Sequence, residues 1–308
     1  MARKGKSKKN KGKHSVTPAV RHLRFQLTNS GVADTETSHF IDLARSASLV
    51  NRRLYEQGRH YYVKKMTVTS RDTPTGLVSV GAAPNSWVVE QAWKKAKNLW
   101  KAMREGHGGA PGSGLPEGIT APTWADFKVF LSNDHRTATE PLPLDNGNNA
   151  ARTTDSEWEH ATLVSPDGTT SGDQFHLHLL GATVTAGAGN LTSAGIVQGY
   201  QESRRTIQRD RTGDEIDPDS WMINLFDDGT TLDEVVVLIE AEGNLPPYDQ
   251  SEYPGCDANM PKPMVLSGFE APLGLLEIEI QSSVPNDVYD VLIELAPGRY
   301  KGVKALPL

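Results

Sequence analysis

The chain has 308 residues, of which 37% are hydrophobic and only one, Cys256, is a cysteine; its formal net charge is −6. This length and apolar fraction suit one large domain or two modest ones and exclude wholesale disorder. A single cysteine excludes an internal disulfide and a cysteine-rich zinc module. The longest aliphatic run, residues 235–239, is far shorter than the roughly 20 residues of a membrane helix. No apolar signal-peptide core begins the chain, so we expect an intracellular protein with no membrane partner.

The charge is distributed unevenly along the chain. Residues 1–71 hold 16 Lys and Arg against 4 Asp and Glu, whereas residues 72–308 hold 16 against 34. Residues 1–18 are rich in Lys, Gly and Ser with few apolar side chains, which predicts a disordered basic arm, with order beginning near Ala19. Such an arm neutralises phosphates without reading base sequence, and its lysine run also fits a nuclear localisation signal. The first 33 residues contain no acid and nine cations: Arg3, Lys4, Lys6, Lys8, Lys9, Lys11, Lys13, Arg21 and Arg24.

The first predicted elements are a strand, a helix and two further strands. Leu23, Phe25 and Leu27 alternate with polar residues, as in a strand with one buried face. Residues 38–58 carry apolar residues at roughly helical spacing, with Gly58 as the C-cap. Strands are predicted at residues 61–70 and 77–82 because β-prone residues there flank a turn-forming stretch.

The clearest predicted helix spans residues 87–105. One face carries Val89, Trp93, Ala96, Trp100 and Met103, spaced to pack into a core or a subunit contact. The adjacent stripe is cationic and consists of Lys94, Lys97, Lys101 and Arg104. A solvated helix face is the favoured interpretation of this stripe, and contact with nucleic acid is the alternative.

Six further β-prone stretches follow, separated by long connections rich in Gly, Pro, Asn and Asp. Short strands with long connections predict an all-β body, most economically a single jelly-roll sandwich over residues 19–308. The helices would then be insertions near residues 38–58 and 87–105. The six stretches are residues 127–131, 174–180, 232–241, 263–267, 274–281 and 287–295.

Two groups of residues raise the question of metal binding. His176 and His178 would point to the same side of a strand, as two metal ligands could. Together with the Tyr-x-x-Lys context at Tyr61 or Tyr62, they suggest a rolling-circle nuclease. The order of the two motifs is reversed, however, so a histidine pair on a polar strand face is favoured, and no catalytic residue, metal or cofactor is predicted. A second set of acids alternates with apolar residues and predicts a solvated strand face, with Ca²⁺ between subunits as the alternative; it comprises Glu277, Glu279, Asp287, Asp290 and Glu294.

Several stretches give the chain a family resemblance. It resembles the capsid proteins of circular single-stranded DNA viruses that encode a replication initiator. The resemblance covers most of the chain after about residue 20 and contains no catalytic motif. The stretches that carry it are residues 36–45 (ETSHFIDLAR), 51–59 (NRRLYEQGR), 165–170 (SPDGTT), 225–230 (LFDDGT), 259–264 (NMPKPM), 274–281 (GLLEIEIQ) and 286–305.

The resemblance implies a jelly roll, a basic arm that faces the packaged genome, and icosahedral assembly. We therefore expect a viral coat protein that assembles with itself into a virion shell of 60 copies or a multiple. It would package single-stranded DNA in the host nucleus through the arm cations together with Arg52 and Arg53. Deleting residues 1–24 should then leave the fold intact. The alternatives are a non-assembling basic-tailed nucleoprotein and, less favoured, a metal-dependent nuclease that uses His176 and His178.

Overall fold

The computed structural model describes residues 18–70, 76–106, 126–154, 157–164, 174–186, 190–204, 236–242 and 263–308. Within these ranges the chain is mostly β. The strands are β1 (His22–Thr28), β2 (Thr37–Asp42), β3 (Arg59–Ser70), β4 (Gly76–Ala82), β5 (Thr162–Val164), β6 (Gln174–His178), β7 (Val184–Ala186), β8 (Asn190–Gly195), β9 (Val236–Glu242), β10 (Met264–Ala271), β11 (Leu275–Ser282), β12 (Val288–Leu295), β13 (Pro297–Tyr300) and β14 (Ala305–Pro307). The helices are α1 (Leu43–Asn51), α2 (Trp87–Gly106), α3 (Asn133–Thr137) and α4 (Ile196–Arg204).

Two antiparallel sheets face each other across the main core. Sheet A has the strand order β1-β12-β3-β10, with β14 also paired to β3, and sheet B has the order β2-β11-β4-β9. Alternate residues of each strand point into the space between the sheets because side chains alternate along an extended chain. Phe25 of β1 lies opposite Val291 of β12, and Ile278 of β11 lies opposite Val80 of β4; all four side chains are buried. This apolar core therefore holds the sandwich together.

A second layer covers part of the outer face of sheet B. It contains sheet C, with the order β5-β6-β8-β7, together with α2 and α4. Phe40 and Leu275 of sheet B pack there against α2 and against residues 127–131 in a second hydrophobic cluster. Trp93 and Trp100 of α2 are buried in the same cluster, so the predicted apolar helix face is confirmed as a core face. None of the helices in the described ranges is long and apolar enough to cross a membrane.

The prediction of one helix over residues 38–58 is wrong at both ends. Residues 37–42 form β2 because Phe40 and Ile41 pair with β11. The helix begins only after Asp42, whose side chain accepts hydrogen bonds from the first backbone N–H groups of α1. It ends at Asn51, because Arg52 adopts a left-handed conformation (φ 52°) and its N–H donates to the carbonyl of Ser48. Gly58 is therefore not the C-cap.

Gly58 instead makes room for an aromatic ring. A Cβ atom built on Gly58 would lie 2.2 Å from Cη2 of Trp93, far inside van der Waals contact. The glycine thus lets the backbone after α1 lie directly against the indole of α2. Glycine is needed at position 58 because the Trp93 ring occupies the space of a side chain, and not because the backbone turns there.

The other predicted elements agree with the structure to different degrees. The predicted strands at residues 61–70, 77–82, 274–281 and 287–295 and the helix at 87–105 are confirmed within a few residues. The prediction of a strand at residues 127–131 is wrong, since Phe130 makes only a single isolated bridge to His178. Residues 232–235 of another predicted strand lie outside the described residues, and β9 begins at Val236. The short strands β5, β7 and β8 and helix α4 were not predicted.

Replacing Gly58 by Ala should destabilise the protein. The added methyl group must displace the Trp93 ring, and overpacking of this kind costs about 1–3 kcal/mol. Gly199, in α4, has nothing within 4 Å of its Cβ position, so Gly199→Ala should instead stabilise the helix by about 0.5–1 kcal/mol. Urea unfolding followed by tryptophan fluorescence measures both changes. A Gly58→Ala variant as stable as the parent would contradict this packing.

Candidate nucleic-acid interface and buried histidines

The described chain begins beside the end of α1. The backbone N–H of Val20 donates to Oδ1 of Asn51 (2.8 Å), and Nδ2 of Asn51 donates to the carbonyl of Val20 (3.0 Å). Ala19 lies against Gly302, where a Cβ on the glycine would be 2.5 Å from that of Ala19. These contacts fix the position of the first described residues on the fold. Seven predicted arm cations lie outside the described residues: Arg3, Lys4, Lys6, Lys8, Lys9, Lys11 and Lys13.

Of the predicted binding cations, Arg24 lies in β1 and Arg21 directly before it. Nη2 of Arg24 lies 3.2 Å from Oδ1 of Asp290 on the neighbouring strand β12, on the face of sheet A turned away from the core. Arg21 precedes the strand, and its carbonyl accepts from the N–H of Leu295. Arg24 therefore already has a carboxylate partner that a phosphate would have to replace.

The other two predicted cations lie at the end of α1. Arg52 is exposed, and its guanidinium donates to the carbonyl of Arg152 (2.7 Å) and to Oε1 of Glu157 (3.4 Å). Arg53 is exposed as well, and within the described part of the chain it makes no ion pair. Both follow Asn51 directly, so the structure brings them beside the point where the chain joins the fold.

The cationic stripe on α2 is partly occupied by contacts within the helix. Nζ of Lys94 lies 3.3 Å from Oε2 of Glu90, one turn earlier. Nζ of Lys97 lies 4.9 Å from the ring centroid of Trp93. These contacts fit the favoured interpretation of the stripe as a solvated helix face.

The sequence predicted that the histidine pair lies on a polar strand face, but the structure places it elsewhere. Strand β6 runs between β5 and β8, and the side chains of both Leu177 and His178 are buried. Nδ1 of His178 is 2.6 Å from Oγ of Ser193, and Nε2 is 3.1 Å from the carbonyl of Ala182. Burial lowers the pKa of His178, so the ring is held neutral with both nitrogens hydrogen bonded.

The other residues of the nuclease alternative, His176 and Tyr61, are also held in packing contacts. His176 is half-buried with its ring edge against Phe130 at a centroid distance of 5.7 Å. Tyr61 is buried in the main core, where its hydroxyl donates to the carbonyl of Glu56 (2.7 Å). In the ranges that the structure describes, no group of three His, Cys, Asp or Glu side chains could hold a metal ion.

A buried carboxylate cluster near α3 was missed by sequence analysis. Glu140 is ion-paired with Arg45 of α1, and its Oε1 lies 2.8 Å from Nε2 of His135. Nδ1 of His135 accepts from the N–H of Leu131, so Nε2 carries the hydrogen and donates to Glu140. Burial opposes ionisation of Glu140, but the hydrogen bond from His135 and the guanidinium of Arg45 outweigh it and hold its pKa at about 2. No local motif marks this cluster, because its members are brought together by the fold from separate segments.

His160 completes this cluster from the other side. Its ring stacks on Phe130 at a centroid distance of 3.7 Å, and its Nε2 is 3.9 Å from Oε1 of Glu140. Burial lowers the pKa of His160 to about 3, outweighing the attraction of Glu140. The neutral imidazole is thus a packing element between the aromatic ring and the carboxylate.

Two of the predicted surface acids are not simply solvated. Glu277 and Glu279 lie on the outer face of sheet B, and Oγ of Ser79 donates to Oε2 of Glu279 (2.9 Å). Burial raises the pKa of Glu277 to about 7, with a further contribution from the charge of Glu279. The acids of β12 are instead paired, Asp290 with Arg24 and Glu294 with Lys64.

Comparison of the chain with protein-family models, with curated proteins and with solved structures gives no match. The resemblance to viral capsid proteins therefore stays a prediction from the sequence.

Replacing His160 by Phe should reduce the loss of stability in acid. A histidine whose pKa is lowered in the folded state stabilises the protein fully above its unfolded value of 6.5, and this stabilisation is lost as pH falls towards about 3. Phenylalanine keeps the stacking on Phe130 but cannot take up a proton. Between pH 6.5 and 4 the free energy of unfolding of the parent should fall by about 1 kcal/mol per pH unit more than that of the variant.

Urea unfolding at pH 7, 6, 5 and 4 measures these slopes. His22→Phe is the matched control, because the ring of His22 is 61% exposed. The control should keep the slope of the parent. Equal slopes for the parent and His160→Phe would show that His160 is not held neutral in the fold.

Proposed function

We propose that this protein is a viral capsid protein with a jelly-roll fold, which assembles into an icosahedral shell around a single-stranded DNA genome. The observation that carries the proposal is the pair of strand orders, β1-β12-β3-β10 and β2-β11-β4-β9. The chain crosses between the sheets as it proceeds, so that β1, β3, β10 and β12 fall in sheet A and β2, β4, β9 and β11 in sheet B. A jelly roll interleaves its eight strands between two antiparallel sheets in this way.

Exposed apolar side chains support assembly with further copies. Trp87 is 57% exposed and Leu99 is 54% exposed on α2, although other residues of this helix are buried in the core. Val32, in the connection between β1 and β2, is 65% exposed. Large apolar side chains left in solvent are typical of surfaces that become buried in a subunit contact. Heterologous contacts of this kind close into a shell when the rotations between neighbours close.

The charge of the chain supports packaging of a polyanion. With nine cations in the first 33 residues, 60 copies would bring about 540 positive charges to one surface of the shell, and each can neutralise a phosphate. The acidic remainder of the chain would keep the folded bodies from binding nucleic acid indiscriminately. The choice of DNA as cargo and the host nucleus as the place of assembly rest on the family resemblance and on the lysine-rich run of the arm.

Of the two alternatives, the non-assembling basic-tailed nucleoprotein shares the arm and differs only in its failure to form a shell. The metal-dependent nuclease is disfavoured by a specific observation, because both ring nitrogens of His178 are already hydrogen bonded. A metal ion could bind this ring only if one of those bonds were broken.

The mass of the purified protein separates the shell from the alternatives. Light scattering on a sizing column, with absorbance recorded at 260 and 280 nm, should give a megadalton particle rich in absorbance at 260 nm. A species near the chain mass of 33.5 kDa at high concentration and moderate salt would contradict the shell and favour the nucleoprotein.

Removing the arm should leave the fold intact and produce shells low in nucleic acid. The deletion has to end at residue 17, because Val20 is hydrogen bonded to Asn51 and Leu23 is buried in the core. The deletion of residues 1–24 considered from the sequence would also remove the first three residues of β1, including buried Leu23, so it should not leave the fold intact. Circular dichroism measures the fold, and the absorbance ratio of the particles measures the packaged nucleic acid.

A second variant separates the charge of the arm from its length. This variant keeps the full length of the arm but has Gln in place of the seven cations before residue 18. It should package as little nucleic acid as the deletion. Packaging at the level of the parent by either variant would remove the arm from the mechanism.

A further inference from the structure

The hairpin formed by residues 297–304 carries cations that the sequence did not single out. Its tip is a tight turn in which Lys301 (φ 49°) and Gly302 (φ 98°) both have left-handed backbone conformations. This is the geometry of a type I′ turn, which joins two strands with the twist that the strands require. Arg299, Lys301 and Lys304 are all exposed on this hairpin.

The hairpin is held against the segment that follows α1. The hydroxyl of Tyr55 donates to the carbonyl of Lys301 (2.8 Å), and the N–H of Glu56 donates to the hydroxyl of Tyr300 (2.9 Å). Nζ of Lys301 donates to the carbonyl of Leu54. These bonds place the hairpin tip next to the exposed side chain of Arg53. The four cations Arg53, Arg299, Lys301 and Lys304 form what we name the hairpin surface.

The described part of the chain begins at this same place. Ala19 lies against Gly302 in the hairpin tip, and Val20 is bonded to Asn51, two residues before Arg53. A polyanion that follows the basic arm towards the fold therefore reaches the hairpin surface first.

The charges of this surface are not compensated by any nearby acid that the structure describes. Among the described residues, no member of the hairpin surface has a carboxylate within ion-pair distance. Four cations elsewhere in the fold are instead paired with acids: Arg24 with Asp290, Lys64 with Glu294, Lys94 with Glu90 and Lys128 with Asp126. The acids nearest the hairpin surface are also occupied, since Glu56 is paired with Arg59 and Glu157 with Arg52.

Aromatic rings lie beneath these cations. Nζ of Lys304 is 3.8 Å from the ring centroid of Tyr62, and Nζ of Lys301 is 5.1 Å from the ring centroid of Tyr300. Positive charge combined with aromatic rings is the composition of surfaces that follow a single-stranded backbone without reading sequence.

We infer that the hairpin surface binds the phosphate backbone of single-stranded nucleic acid where it leaves the arm. The inference rests on the proposed function and deepens it, because it adds a second, ordered part of the binding site on the folded body. The arm gathers the strand through its many charges, and the hairpin surface holds it at one fixed position in each subunit.

The test compares two full-length variants that lose the same charge. Arg299→Gln, Lys301→Gln and Lys304→Gln are combined in the hairpin variant, and Lys94→Gln, Lys97→Gln and Lys101→Gln on α2 are combined in the control. Each protein is freed of nucleic acid in high salt, and its binding to a fluorescein-labelled 30-nucleotide oligo(dT) is followed by anisotropy over a range of salt concentrations.

The hairpin variant should bind the oligonucleotide at least tenfold more weakly at low salt. Loss of three phosphate contacts should reduce the slope of log K against log salt by about 2, at roughly 0.7 per contact for a single strand. The control should keep both the affinity and the slope of the parent. An equal loss in both variants would overturn the inference, because net charge alone would then explain the effect.

Two results distinguish failure of this inference from failure of the proposed function. If the hairpin variant binds like the parent while the protein lacking residues 1–17 does not bind, the arm is the whole site and the hairpin surface is wrong. If the parent itself does not bind oligo(dT), the proposed function fails together with the inference.

A measurement on the parent protein does not depend on whether the variant folds. Lysine acetylation with and without oligo(dT), followed by peptide mass spectrometry, should show protection of Lys301 and Lys304 by the oligonucleotide and none of Lys94 and Lys97. Protection that occurs in assembled particles without nucleic acid would assign the hairpin surface to a contact with a second copy of the chain and overturn the inference.

Discussion

The carboxylate of Asp42 joins three parts of the fold at one buried point. It ends β2, accepts from the N–H groups of Ala44 and Arg45 at the start of α1, and accepts from Nε2 of Gln57. The same amide of Gln57 exchanges two hydrogen bonds with the backbone of Val129, as a neighbouring strand would. A buried carboxylate is costly unless its oxygens accept hydrogen bonds, so these partners fix the direction of α1 and the position of the second layer over sheet B. Burial raises the pKa of Asp42 to about 7, with a further contribution from the charge of Glu140.

Cations in this protein are used in two ways. Lys128 is buried and Arg45 is half-buried, and both have carboxylate partners and serve the packing of the second layer. The cations of the hairpin surface have no such partners in the part that the structure describes. Since an exposed ion pair contributes little to stability, leaving these charges free costs the fold almost nothing. The folded body can therefore carry a binding surface for a polyanion without being weakened by it.

Sequence patterns predicted the strands and helices that bury one face at regular spacing. The alternation around Phe25 located β1, and the spacing of Trp93 and Trp100 located α2, because each pattern records a single buried face. The sequence predicts helix at residues 38–42 because no turn residue separates β2 from α1, and nothing in the sequence distinguishes the helix cap Asp42 from any other acid. Strand β6 is buried on both sides only at its end, Leu177 and His178, so His178 could not be recognised as a core residue from alternation. The contacts of Glu140 and of the hairpin surface depend on distant segments, and no local signal records them.

The pairing of β1 with β12 has a consequence for the order of events after translation. Arg24 and its partner Asp290 are 266 residues apart in the chain, so sheet A cannot close until nearly all of the described sequence has left the ribosome. Loop closure over such a separation makes folding slow compared with that of locally paired proteins. The strand next to the basic arm thus remains without its partner until β12 has been made. A chain truncated before residue 288 carries the arm but lacks β12, so it has no folded body behind the arm. Only a chain that extends past β12 can form the surface that presents the arm.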